Sequence, residues 1–169
     1  QQGTVMKIFV TKEYFDKSQQ KIQEIQERLA KIRSDKTAAY TEDTNTWHDN
    51  FAYEHLTREE KQTEKLLADL VADLDNMLIV PTDKPATTET VGLYCWVCVT
   101  QENEKTGIQT ECRFGIVPLG AEDVSKKLYA YNMPLVKPLL GLSIGDEITV
   151  RVPSGEIITT ILSITPFDM

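Results

Sequence analysis

Between Thr4 and Val80 the chain contains neither proline nor glycine. Within that stretch two sets of positions recur in alternating steps of three and four. The first is Phe15, Ser18, Ile22, Ile25, Leu29, Ile32, Lys36 and Ala39. The second is Tyr53, Leu56, Glu60, Thr63, Leu67, Leu70, Leu74 and Met77. Each set runs for about three and a half heptads, the seam period of a coiled coil. Between them lies Tyr40 to Asn50, polar and rich in Thr and Asp, which is where a turn fits. The spacing therefore predicts an antiparallel helical hairpin over residues 1–80, with its tip near residues 42–50. Pairing residues whose numbers sum to about 92 sets Phe15 against Met77, Ile22 against Leu70 and Ile25 against Leu67, with apolar meeting apolar. Nearer the tip Leu29 meets Thr63, Ile32 meets Glu60 and Lys36 meets Leu56, so the tip half is expected to pack less tightly than the base. Helices of about 30 residues extend roughly 45 Å, more than a small globule needs, so the hairpin reads as a probe or lever. Its seam is satisfied within the chain, and a monomer is expected.

Residues 81–85, Pro-Thr-Asp-Lys-Pro, are turn formers and read as a linker. Beyond them, from residue 86 to 169, the period shortens to that of strands. Val91 to Thr100 and Gln109 to Val117 flank a charged turn, and Ile148 to Val152 and Ile157 to Ile164 flank Pro153-Ser154-Gly155-Glu156. In that turn Gly155 supplies a positive φ. Between the two pairs one short helix is expected, with Asn132 as its cap, Pro134 in its first turn and Gly141 at its end; Pro138 keeps it short or kinked. The fold class is α+β: a helical hairpin followed by an antiparallel sheet with a short helix.

Charge narrows the function. Residues 1–80 carry 11 Lys and Arg against 15 Asp and Glu, and residues 81–169 carry 7 against 11, so each half contributes −4 to the net −8. Duplex affinity comes largely from neutralising phosphates, so free DNA binding is not expected. No apolar run approaches the roughly 18 residues of a membrane helix, and no signal-peptide pattern opens the chain. A cytoplasmic protein is the default expectation. Cys95 and Cys98 form a C-x-x-C on an expected strand, where positions three apart face opposite sides. With Cys112 they read as buried free thiols rather than a metal or redox site.

Two stretches carry a resemblance. Asn132-Met133-Pro134-Leu135-Val136-Lys137-Pro138-Leu139-Leu140-Gly141, then Gly145-Asp146-Glu147 and Val152-Pro153-Ser154-Gly155-Glu156, resemble the C-terminal signature of the bacterial Gre-type transcript cleavage factors: an N-S-P-(I/L)-A-x-x-L-(I/L)-G segment, G-D, and a T-P-G-G-E hairpin. Asp49-Asn50-Phe51-Ala52-Tyr53 is similar to the family's tip sequence E-N-A-E-Y, and Arg58-Glu59-Glu60-Lys61 follows it like the family's R-E-x-Q, one residue further on. The resemblance implies that the second half is an FKBP-like domain docking on RNA polymerase, with Asn132, Pro134 and Leu135 at the docking surface. It implies that the hairpin enters the polymerase secondary channel and that tip acids help hold the second Mg²⁺ of the polymerase active site, so that backtracked RNA is cut and stalled complexes are rescued. On that reading Asp49 is the metal-directed and catalytic carboxylate, with Asp43 and Glu42 as further candidates. The free protein would bind no Mg²⁺ of its own, and it would be an accessory factor rather than an enzyme by itself. Arg28, Lys31, Arg33 and Lys36 with Trp47 would contact the nascent RNA 3′ end.

The sequence departs from the family at one informative place. The family tip has two acids three apart, D-x-x-E; Asp49 matches the second, and the first falls on Thr46. That favours, as an alternative, a non-cleaving secondary-channel regulator of the same fold. A remoter alternative is an FKBP-type prolyl isomerase, which needs an apolar pocket lined by aromatic rings. Plainer roles stand beside the sharp ones: Asp49 as a helix cap, Glu42 and Asp43 as solvated loop acids, and the four cations as an ordinary solvated helix face.

Overall fold

The computed structural model describes residues 6–42, 51–81 and 88–167, residue 42 through its backbone alone. The chain divides into two compact units, residues 1–8 with 12–78, and residues 9–11 with 79–169. Residues 9–11 group with the sheet-bearing unit. The reason is local bonding. Leu119 N–H donates to Phe9 O at 3.0 Å and Thr11 N–H to Leu119 O at 2.9 Å. Phe9 N–H in turn donates to the Tyr131 hydroxyl at 2.9 Å. A short strand, β1 (Ile8–Val10), and another, β2 (Met77–Ile79), form a two-stranded sheet of their own.

The first unit is built on α1 (Lys12–Glu42) and α2 (Phe51–Asp75), the hairpin that the heptads predict. Its tightest packing lies at mid-length rather than at the base. Ile22, Ile25, Leu29 and Ile32 of α1 are buried, and Thr63 is the buried residue of α2, while Phe15 and Met77 at the base are only half-buried. Thr63, which the register sets against Leu29, is small enough to be enclosed where a longer polar side chain is not. Toward the tip the mismatch of Ile32 with Glu60 and Lys36 with Leu56 resolves electrostatically. Glu60 reaches sideways to accept from Lys36 Nζ at 2.9 Å and Arg33 Nε at 3.1 Å. The tip half is therefore held by charge and by the Tyr40–Tyr53 ring pair, at 5.7 Å between centroids.

The second unit is a five-stranded sheet ordered β5-β4-β3-β7-β6, made of β3 (Cys95–Asn103), β4 (Gln109–Val117), β5 (Leu128–Ala130), β6 (Glu147–Val152) and β7 (Gly155–Pro166). All neighbours are antiparallel except β4 and β5, which run parallel from Gly115↔Leu128 to Val117↔Ala130. The connection through residues 118–127 carries the chain back across rather than reversing it. A bulge between Cys98 and Val99 sets Val97 opposite Ile164 and Val99 opposite Ile161, keeping Ile161 and Ile164 in the core although they are three apart. Gly155 has a φ of 132° in the β6–β7 turn, as the sequence requires.

Core residues Val97, Val99, Phe114, Ile116, Ile161 and Ile164 line one face of the sheet, and Tyr131, Val136 and Leu139 cover it. The expected helix over 132–142 contracts to one 3-10 turn, Lys137–Leu139, whose cap position is Val136 and not Asn132. Pro134 and Pro138 lack the N–H groups that a continuing helix would use. Gly141, with a φ of 85°, does end the segment. Cys95 and Cys98 face opposite sides, but only Cys95 is buried. Cys98 lies on the outer face, 3.3 Å from Glu111 Oε1, and Cys112 is half-buried.

Candidate functional site

The segment after β5 is a series of tight turns. Met133 N–H donates to Ala130 O at 3.1 Å, and Val136 and Lys137 N–H donate to Met133 O at 2.9 and 2.8 Å. Val136 and Leu139 are 2 % and 1 % exposed and anchor the segment in the core. Tyr131, 9 % exposed, is buried on the other side, so residues 132–135 form an exposed stretch between two buried anchors. Asn132, Pro134 and Leu135 are all exposed on this one segment. Leu135 and Met133 also stand at the rim of an apolar cavity of about 440 Å³, with Phe114, Leu128, Tyr129 and Val136 among its walls. The Phe114 and Tyr129 rings lie 5.7 Å apart at 41°. Exposed apolar side chains around an apolar concavity are the usual form of a protein-docking surface. Met133 was not among the sequence candidates; its signal was a large apolar residue between Asn132 and Pro134, in a stretch too rich in turn formers to be core.

A second cluster lies on the tip half of the hairpin. All four cations read as RNA contacts carry hairpin carboxylates: Arg28 to Glu59 at 3.7 Å, Lys31 to Asp35 at 3.0 Å, Arg33 to Glu64 at 2.8 Å and to Glu60, and Lys36 to Glu60 at 2.9 Å. The hydrogen bond from Lys36 holds the Glu60 carboxyl below its ordinary range, and Arg33 adds to that effect. Reciprocally, Glu60 pushes the Lys36 ammonium up. Arg33 is raised by Glu64 first and Glu60 second. Lys36 Nζ also sits 5.2 Å from the centre of the Tyr53 ring, within cation–π range.

The tip candidates Asp43, Asp49 and Trp47, with Thr46, lie outside the described residues, as does the side chain of Glu42. Among the described residues no group of three or more His, Cys, Asp or Glu could hold a metal ion. No helix among them is long and apolar enough to cross a membrane.

Residues 86–166 match the family model for the C-terminal domain of the transcription elongation factors GreA/GreB. The chain is 30% identical over 122 residues to transcription elongation factor GreB of Yersinia pestis, covering 71% of this chain and 68% of that protein. It is 26% identical over 149 residues to transcription elongation factor GreA of Thermotoga neapolitana, covering 88% of this chain and 91% of that one. Among solved structures, GreA factor homolog 1 of Thermus thermophilus is similar at 19% identity and a TM-score of 0.41, over 94% of this chain and 98% of that chain. The protein belongs to the Gre family and is a transcription elongation factor of the GreA/GreB type.

Proposed function

We propose that this elongation factor binds bacterial RNA polymerase through the exposed Asn132–Leu135 turn and its apolar cavity. On this reading the hairpin inserts into the secondary channel and its tip promotes Mg²⁺-dependent cleavage of backtracked RNA. The observation that carries the reading is the docking turn, where Val136 and Leu139 fix the backbone and leave Met133, Pro134 and Leu135 to a partner. A large apolar group such as Leu135, at 45 % exposure, gains by being covered. The metal belongs mainly to the polymerase. Mg²⁺ is commonly bound through one or two carboxylates plus substrate phosphates and water, so a factor needs to lend little, and Asp49 is the carboxylate in the matching position.

Thr46, where the family pattern has an acid, favours a second reading: a regulator that occupies the same channel without stimulating cleavage. Transcript cleavage on a backtracked complex separates the two. If the factor cleaves, Asp49→Asn lowers the rate by ~10²–10³ at unchanged polymerase affinity, the usual cost of one lost charge-stabilising group, and Thr46→Asp raises it. Absent native cleavage that appears in Thr46→Asp supports the non-cleaving regulator. Cleavage unchanged by Asp49→Asn removes that residue from the mechanism and moves attention to Asp43 and Glu42.

A further inference from the structure

The apolar cavity of about 440 Å³ beside the Asn132–Leu135 turn is walled by the sheet. Phe114 comes from β4, Leu128, Tyr129 and Ala130 make up β5, and Val136 comes from the turn that follows. Phe114, Ala130 and Val136 are buried, so these walls are part of the core. The Phe114–Tyr129 ring pair offers a third ring an edge-on or offset contact. Three polar side chains also line the cavity: Gln101, Cys112 and Glu122. Two of them are turned to one another, Cys112 Sγ donating to Gln101 Oε1 at 4.0 Å. Glu122 is the only charged side chain among the described lining residues. Its Oε1 accepts from Gly120 N–H, which fixes the carboxylate in the loop that borders the cavity. We propose that this cavity is a binding site for a small amphiphilic cation: a single aromatic ring seated against Phe114 and Tyr129, carrying an ammonium that pairs with Glu122.

Size, wall chemistry and charge each narrow the ligand. The volume lies within the range of small-molecule sites, which are mostly apolar with a few placed polar groups. Two aromatic rings in the wall favour a ring over an aliphatic chain, because ring pairs gain beyond the area they bury. The sign of the charge follows from Glu122. A carboxylate ligand meets it as a like charge, whereas an ammonium meets an opposite charge and the faces of two rings. Lys126 and Lys127, in the adjoining turn, do not line the cavity, and Lys126 is drawn to Asp123 at 4.0 Å. The chain's net charge of −8 acts in the same direction. Met133 and Leu135 belong both to the rim and to the turn proposed for docking, so an occupant would compete with the partner there. The proposal goes beyond the polymerase reading and is tested on the free protein, so its failure leaves that reading untouched.

The experiment titrates the full chain with phenethylamine, following backbone amide NMR shifts, with phenethyl alcohol and phenylacetate as comparators. Saturable shifts are expected in residues 112–114, 122 and 128–136. The amine is expected to bind about threefold tighter than the alcohol, the contribution of one exposed ion pair, and phenylacetate more weakly than either. Glu122→Gln keeps an acceptor for Gly120 N–H, and Glu122 is exposed, so the variant is expected to fold. It should lower the affinity for the amine to that for the alcohol and leave the alcohol's own affinity unchanged. Location is checked independently by thiol alkylation. Cys112 lines the cavity, whereas Cys98 lies on the outer face beside Glu111, so bound amine should slow the reaction of iodoacetamide with Cys112 alone. Equal affinity for amine, alcohol and acid, an amine affinity indifferent to Glu122→Gln, or shifts that lie outside the cavity would each overturn the proposal. Equal slowing at both cysteines would overturn it too, as the mark of diffuse association with the surface.

Discussion

Gly115 sits near the C-terminal end of β4 on the face away from the core, where a Cβ would come within 2.7 Å of Leu128 Cδ2 and 2.9 Å of Phe167 Cζ. Those neighbours close over it because Phe167 stacks on Trp96 at 5.1 Å and meets Tyr94 edge-on at 5.9 Å. Tyr94 is itself held with a φ of 62°, its hydroxyl donating to Val80 O at 3.0 Å and its carbonyl accepting from Phe167 N–H at 3.0 Å. A left-handed tyrosine costs on the order of a kcal/mol or more and persists only where its surroundings fix it. Gly115→Ala is expected to lower stability by about 1–3 kcal/mol as overpacking, read as a lower urea midpoint at unchanged m-value. A neutral Gly115→Ala would mean that Leu128 and Phe167 give way freely and that the aromatic stack is loose. None of this was legible in the sequence. A glycine within an alternating strand signals close approach, but the partner, Phe167, is 52 residues further on.

At the scale of elements, the hairpin is two materials in series: apolar packing through the middle and ion pairs with one aromatic pair toward the tip. The consequence is a pH-dependent tip. The Glu60 pKa is depressed in the folded hairpin, so its contribution is fully present above the unfolded carboxylate value of about 4.3 and is lost as pH falls through the lower folded value. Amide exchange should therefore accelerate below about pH 4 in residues 33–40 and 53–60 before it does in residues 22–32, with 1 M salt mimicking the effect because it shortens screening to about 3 Å. Simultaneous opening of both regions would show that the ion pairs add nothing local. The heptads made both helices readable because each seam position constrains the next. They also exposed the polar mismatch at Glu60, but not its answer, since which cation a flexible glutamate reaches depends on side-chain geometry. Strands with long alternation, such as Gln109–Val117, were equally plain. β1, β2 and β5, three residues each, exist through hydrogen-bond partners elsewhere in the chain and leave no periodic trace. The helix expected over 132–142 failed because caps and prolines describe a series of turns as well as they describe a helix.

For the whole molecule, the exposed turn proposed for docking was legible as a motif and the cavity beside it was not. Asn132, Pro134 and Leu135 came from a resemblance in sequence, whereas Phe114, Leu128 and Tyr129 arrive from other strands through the β4–β5 pairing. Pro134→Asp with Leu135→Asp is expected to weaken polymerase binding by about tenfold or more, the effect of about 1.4 kcal/mol. Thermal unfolding should be nearly unchanged, because both side chains are exposed. Full binding by this variant would place the docking surface elsewhere.

The length of α1 also has a metric consequence. Its 31 residues amount to about 46 Å at 1.5 Å per residue, and the seam repeats every seven. The hairpin can therefore be shortened in whole heptads without disturbing which side chains meet. Deleting residues 18–24 together with 68–74 removes one repeat from each helix and pulls the tip back by about 10 Å. The sheet domain, its exposed Asn132–Leu135 turn and the Glu60 cluster all remain. If the hairpin is a ruler that delivers its tip to a fixed depth in the polymerase, this variant should compete with the full-length factor for binding yet have no effect on backtracked RNA. Retained activity at that depth would mean that span is not what the two long helices were selected to provide.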